Sequence, residues 1–196
     1  MATIDSKSIR NIALLGHGGC GKTSLAEAML YLTGGTDRMG KTADGNTVCD
    51  YDPEEIKRGF SISASLAPIT WKNTKVNIFD TPGYLDFVGE VHQALRVADS
   101  AIIVMDARAG IEVGTELAWD YATAAGLPKA FFINKFDDNE ARFARVLDSL
   151  HETFGKHVCP LTIPMVKNGE VVGVNGEALS GVAAINKLEG VEKASV

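Results

Sequence analysis

Residues 16–23 read Gly-His-Gly-Gly-Cys-Gly-Lys-Thr, a full G-x-x-x-x-G-K-[ST] phosphate-binding loop. The flanks constrain how it folds. Residues 11–15, Asn-Ile-Ala-Leu-Leu, form a short buried-strand run, and Leu25, Ala28, Met29 and Leu32 recur at helical spacing until Gly34-Gly35 ends the pattern. A strand, a glycine turn and a helix in that order aim the turn's N–H groups and the positive end of the helix at an anion. Gly16, His17, Gly18, Gly19, Cys20 and Gly21 make the cradle. Lys22 would reach the β and γ phosphates, Thr23 offers a hydroxyl to magnesium, and Ser24 follows it on the helix. Cys20 reads as a small filler and His17 as structural.

Downstream, short apolar strands alternate with helices. Residues 61–66 alternate polar and apolar side chains like a half-exposed strand, Pro68 marks an edge, and residues 75–79 return after a turn at Lys72-Asn73-Thr74. Val88, Val91, Leu95 and Ala98 give a helix stripe, residues 101–105 a buried strand, 117–125 a helix closed by Gly126 and Pro128, and 130–134 another strand. Phe143, Val146, Leu147, Leu150 and Phe154 define a last helix stopped at Gly155. Such alternation predicts an α/β fold, a mostly parallel sheet covered by helices on both faces, with one antiparallel edge strand from the hairpin. The polar, glycine-dotted stretch from Gly34 to about Arg58 reads as a long functional loop.

Length and composition set further bounds. A chain of 196 residues, 45% apolar, suffices for one sizeable domain with a small appendage. Cys20, Cys49 and Cys159 are odd in number and far apart, which points to a reducing compartment rather than to a disulfide framework or a zinc site. With neither a signal-peptide core nor an 18-residue apolar run, the chain is expected to be cytoplasmic, with no membrane partner. A net charge of −6 argues against a surface that grips phosphate backbones throughout, so no DNA partner is expected and any RNA must be met locally. Nothing suggests a subunit interface, and a monomer is expected. His92, His151 and His157 lack spaced metal partners.

Two further motifs end strands, where ligands bind in such sheets. In Asp80-Thr81-Pro82-Gly83, Asp80 can hold magnesium through water while the Gly83 N–H approaches the γ-phosphate. A plain Pro-Gly turn is the alternative, and the spacing from the phosphate loop favours the functional reading. In Asn134-Lys135-Phe136-Asp137, the Asp137 carboxylate can accept two hydrogen bonds from the ring N–H and exocyclic amine of guanine, a donor pair adenine lacks. Asn134 would tie neighbouring loops and contact the base, and the Lys135 stem would cover its face. Asp137 or Asp138 can equally act as a helix N-cap.

These motifs in this order resemble those of the translational GTPases over about residues 8–166. The segment 53–62 (Pro-Glu-Glu-Ile-Lys-Arg-Gly-Phe-Ser-Ile), the stretch 80–88 and the run 131–137 look like elongation factor G. Tyr84 and the Gly18-Gly19 pair are similar to its paralogues, and the tetracycline-resistance ribosomal protection proteins are similar too. The resemblance implies a P-loop NTPase domain of three α/β/α layers that binds GTP or GDP with Mg2+, acts on the ribosome and hydrolyses GTP under ribosome stimulation. It implies switching at 34–62 and 80–98, catalytic roles for Lys22, Ser61, Gly83 and Tyr84, and metal binding by Thr23, Ser61 and Asp80.

Three departures from the family pattern stand out. Ser61 replaces the threonine that closes over the γ-phosphate and keeps its hydroxyl. Tyr84 replaces a histidine that orients the attacking water, and a phenol is a poor general base at neutral pH. Gly19 stands where an aspartate is usual. Weak intrinsic turnover with activation on the ribosome is the expectation, set against a guanine-nucleotide sensor that hardly hydrolyses and against a ribosomal protection factor.

Elongation factor G carries an inserted subdomain after its fourth helix, followed by a last guanine-binding motif around Ser-Ala. Residues 160–164 and 170–174 resemble the opening strands of that insert, and no Ser-Ala motif follows. The expected division is a GTP-binding domain over 1–159 and the start of the insert over 160–196, in a fragment of a longer factor.

Overall fold

The computed structural model describes residues 5–138, 141–167 and 170–175. Strand β1 (Ile9–Leu15) runs through the glycine turn into helix α1 (Lys22–Leu32), as the motif and its flanks require. The helix ends where the Thr33 hydroxyl donates back to the Met29 carbonyl at 2.7 Å and Gly34 turns left-handed. A short helix α2 (Pro53–Arg58) precedes the hairpin β2 (Ser65–Trp71) and β3 (Thr74–Asp80). Then come α3 (Val88–Leu95), β4 (Ser100–Asp106), α4 (Val113–Ala124), β5 (Lys129–Asn134) and α5 (Phe143–Phe154). A separate antiparallel pair, β6 (Ile163–Lys167) and β7 (Glu170–Asn175), follows.

The five-stranded sheet has the order β2-β3-β1-β4-β5. Both β3 and β4 lie parallel to β1, and β2 is antiparallel to β3, so the expected α/β architecture with one antiparallel edge strand is found. Alternate residues of β1 feed two cores. Ala13 and Leu15 pack with Ala101 and Ile103 of β4 against Val91 and Leu95 of α3 and Ala118 and Ala122 of α4. Leu14 and Ile78 pack on the other face with Ala26 and Leu30 of α1 and with Cys49. Period-two alternation along a central strand thus covers the sheet with helices on both sides.

Residues through Met105 together with Glu112–Phe132 make one compact unit, and Asp106–Ile111 with the chain from Ile133 onward make another. The phosphate loop, the Asp80 motif and α1 to α4 belong to the first; the 134–137 motif belongs to the second. No helix among the described residues is long and apolar enough to cross a membrane.

Three local expectations are corrected. The stretch from Gly34 to Arg58 is not all loop: Asp52 caps α2, accepting from the Glu54 N–H at 2.8 Å, while Glu55 reaches back to the Asp52 N–H and Pro53 sits in the first turn. The edge strand begins at Ser65 rather than 61, because the N–H groups of Ile62 and Ser63 are taken by Glu55 (2.8 and 3.0 Å) and that of Ala64 by Glu90 (2.8 Å). Its buried phase is Ala67 and Ile69, with Leu66 turned outward. Finally, α5 is capped at Arg142, so neither Asp137 nor Asp138 is its N-cap.

Candidate nucleotide-binding site

The phosphate loop is held in shape from inside. Gly16 adopts φ +135°, and a Cβ there would run into the Val104 carbonyl of β4, so the position admits only glycine. Lys22, 6% exposed, folds back over the loop and donates to the carbonyls of Gly16 and His17 at 2.9 Å each. Its ammonium is therefore fixed above the N-terminus of α1, where anionic oxygens are attracted both by the charge and by the helix. Cys20 is buried beneath it, and Ser24 lies exposed on the first turn. His17 faces Glu112 at 3.6 Å, and a Cβ on Gly114 would stand 2.7 Å from the His17 Cα. Gly19 turns left-handed at φ +80° with open space where a Cβ would go. An aspartate there would thus meet backbone strain rather than a clash.

In the first turn of α1, Thr23 donates to the Asp80 carboxylate at 2.7 Å and lies 3.2 Å from the Ser61 hydroxyl. Ser61 in turn donates to Asp50 at 2.7 Å. Three predicted metal-site residues, Thr23, Ser61 and Asp80, are therefore together, joined by a fourth, Asp50, which sequence reasoning missed. Asp50 and Asp80 are both buried, and each keeps one carboxylate oxygen with no protein hydrogen bond. Burial pushes Asp80 up to about 7, against the Thr23 hydrogen bond and the nearby Lys22 ammonium, which pull it down. Burial likewise raises Asp50, against the Ser61 hydrogen bond.

Two hydroxyls, two orphaned oxygens and costly buried negative charge are the donor set of a hard divalent cation. Among the described residues, no group of three or more His, Cys, Asp or Glu could hold a metal alone.

Gly83 lies against the loop: a Cβ there would stand 2.5 Å from Lys22 Nζ and 2.6 Å from the Gly18 nitrogen. The next residue, Tyr84, spreads its ring over Gly18, where a Cβ would meet Cζ at 3.0 Å and Cε2 at 3.1 Å. Phe60 packs on the same ring with centroids 4.7 Å apart, and Phe87 lies 6.4 Å from Phe60. The tyrosine thus sits where three segments converge: the phosphate loop, the residues around Ser61 and the Asp80 motif. Thr81, fully buried, ties the ends of β1 and β3 by donating to the Leu14 carbonyl at 2.6 Å.

In the second unit, the 134–137 motif follows the end of β5. The Asn134 carbonyl accepts from the Ala107 N–H at 2.9 Å. Lys135 stands at φ +58°, and its ammonium reaches Asp106 at 2.8 Å. Although burial raises Asp106, that hydrogen bond and those from the Arg108 and Ala109 N–H groups hold its carboxyl below the ordinary range. The ion pair pins the head of Lys135, and Asp137 is exposed. Arg58 forms an exposed ion pair with Glu54 at 3.2 Å, His92 packs on Tyr121, and the His151 ring nitrogen meets the Val158 carbonyl at 2.8 Å.

The phosphate loop with its hydroxyl and carboxylate cluster in the first unit and the Asn-Lys-x-Asp turn in the second are the motifs expected of a GTP-binding domain. The chain belongs to the family of the elongation factor Tu GTP binding domain, whose model matches residues 7–193. It is 40% identical over 172 residues to the mitochondrial ribosome-releasing factor 2 of Anopheles gambiae, covering 88% of this chain and 23% of that protein. Elongation factor G 2 of Syntrophus aciditrophicus is 40% identical over 166 residues, 85% of this chain and 24% of that protein. A crystal structure of a protein from Thermus thermophilus matches with a TM-score of 0.83 at 39% identity, over 86% of this chain and 25% of that one. The chain thus spans about a quarter of the length of these relatives.

Proposed function

We propose that this chain binds GTP with magnesium and, within a longer elongation-factor-G-like translation factor, hydrolyses it to GDP and phosphate on the ribosome. The observation that carries the reading is the meeting of Thr23, Ser61, Asp80 and Asp50 beneath Lys22, with two buried carboxylate oxygens unpaired. In that role Lys22 and the N–H groups of residues 16–24 hold the phosphates, and the Gly83 N–H meets the γ-phosphate. The hydroxyls of Thr23 and Ser61 would hold the magnesium directly, with Asp80 and Asp50 behind its water. Magnesium, when bound, neutralises charge on the phosphate oxygens. Asp137 reads guanine, Asn134 supports it, and the Lys135 stem covers the base. Loss of γ-phosphate contacts drives conformational change within the segments 34–62 and 80–98.

The same reading takes residues 1–159 as the GTP-binding domain and 160–196 as the start of an insert; the antiparallel β6–β7 pair supports it. A cytoplasmic monomer with the ribosome as partner completes the proposal.

A second reading, a guanine-nucleotide switch with little hydrolysis, is favoured by one observation: Tyr84, in place of the family's histidine, is packed between Gly18 and Phe60. Single-turnover GTP hydrolysis by the longer factor, with and without ribosomes, separates the two. Strong stimulation supports the first reading. Bound GTP left intact in both conditions, and hydrolysed once Tyr84→His is introduced, supports the second.

A further inference from the structure

Glu27 is a fully buried carboxylate that no step above uses. It lies on α1 one helical turn beyond Thr23. One oxygen accepts from the N–H groups of Val48 at 2.6 Å and Cys49 at 3.1 Å, and the other accepts from the Gly40 N–H at 3.2 Å. A buried carboxylate is tolerated when donors saturate both oxygens, so the loop 40–49 is wrapped around this one side chain. The fit is close: a Cβ on Gly40 would strike Glu27 Oε2 and stand 2.7 Å from the Thr47 Cα. Cys49, the last residue of the wrap, is buried in the core with Leu14, Ala26 and Leu30. Asp50 comes next and reaches the Ser61 hydroxyl.

Beyond Asp50 the attachments change character. Ile62 and Ser63 are held by Glu55 of the same segment, and Ala64 by Glu90 of α3, within the stretch expected to switch. Residues 40–49 are tied to the body of α1 through Glu27, whereas residues 61–64 are held by Glu55, by Glu90 and, through Ser61, by Thr23 at the start of that helix.

We propose that Glu27 is a positioning residue that divides the first switch at Cys49. Residues 40–49 stay clamped to α1 in either nucleotide state, Asp50 is thereby delivered to the Thr23–Ser61–Asp80 cluster, and rearrangement is confined to 50–64. The assignment of Asp50 to magnesium rests on the function proposed above; the clamp itself does not.

Amide hydrogen exchange on the 196-residue chain tests both halves. Without nucleotide, Glu27→Gln places an amide N–H2 against backbone donors, so exchange over 40–49 should accelerate by about tenfold or more. Gly40→Ala, which disturbs the clamp from the loop side and leaves α1 intact, should act in the same direction if Glu27→Gln does not fold. With magnesium and either GDP or a non-hydrolysable GTP analogue, the parent chain should show state-dependent exchange over 50–64 and none over 40–49. The magnesium concentration that half-saturates nucleotide binding should rise about fivefold in the variant, from loss of hydrogen bonds to a charged acceptor. Slow exchange over 40–49 in both variants would overturn the clamp, and state-dependent exchange over 40–49 in the parent would overturn the division. If the parent chain binds no GTP, the proposed function falls while the nucleotide-free comparison still decides the clamp.

Discussion

The two units present their motifs in different ways. Around the phosphate loop most polar side chains are engaged within the protein, Lys22 by two carbonyls, Thr23 by Asp80, Glu27 by three N–H groups and Glu55 by three, with one oxygen each of Asp50 and Asp80 left over. In the Asn-Lys-x-Asp turn, Asp137 is exposed and the Lys135 ammonium is paired with Asp106. Binding a triphosphate calls for charge held rigidly in a low-dielectric site, because reorganisation there is costly. Selecting a base needs only a correctly aimed acceptor pair. The family departures follow the same line: Gly19, Ser61 and Tyr84 all fall in the phosphate half, whereas the Asn-Lys-x-Asp turn is intact.

That contrast makes the consequences of substitution separable. Lys22→Ala strikes the phosphate half hardest: GTP and GDP affinity should both drop by about a thousandfold, from the loss of several charge-assisted hydrogen bonds, with base preference unaltered in fluorescent-nucleotide titrations. Asp137→Asn strikes only the other half. It should weaken GTP by about a hundredfold and favour xanthosine triphosphate, with the magnesium requirement unchanged. An unaltered preference removes Asp137 from the base site.

Gly18 and Tyr84 sharpen the comparison within the phosphate half. A Gly18 side chain would meet the far edge of the phenol ring, atoms that a five-membered imidazole lacks, and Phe60 limits the retreat of the ring. Gly18→Val should therefore slow hydrolysis about tenfold with Tyr84 present and much less in Tyr84→His, a coupling that a double-mutant cycle reads directly. Additive effects would mean that the two departures are unrelated.

The smallest effect concerns pH. Burial pushes the Asp80 carboxyl up to about 7 in the folded chain from an ordinary 3.8, so the folded state holds a proton that the unfolded state has released between those limits. In the absence of divalent cations, stability should fall as pH rises from about 4 to about 7. Thermal melts of Asp80→Asn should show a flatter profile over that window.

Much of this was legible in the sequence because it is local. The phosphate loop, the Asp80 and Asn134 motifs and the strand and helix runs are each written in a few consecutive residues, and the hairpin turn at Lys72-Asn73 shows the positive φ expected there. What was hidden depends on pairings across the chain. Asp50 joins Thr23 and Asp80 through Ser61, Glu27 meets residues 13 to 22 positions away, and Lys135 finds Asp106 across 29 positions. Short α2 carries start signals, Asp52-Pro53 with Glu55, but too few residues for a periodic stripe. The late start of β2 follows from carboxylates capturing its N–H groups, which no hydrophobic pattern reports.

The most direct measurement is equilibrium competition among GTP, GDP, ATP and xanthosine triphosphate on the 196-residue chain, with and without magnesium. Preference for the guanine nucleotides, with GTP binding strengthened by magnesium, is the predicted result. Equal binding of ATP, or GTP binding indifferent to magnesium, would contradict an account that assigns the base to Asp137 and the cation to Thr23, Ser61, Asp50 and Asp80.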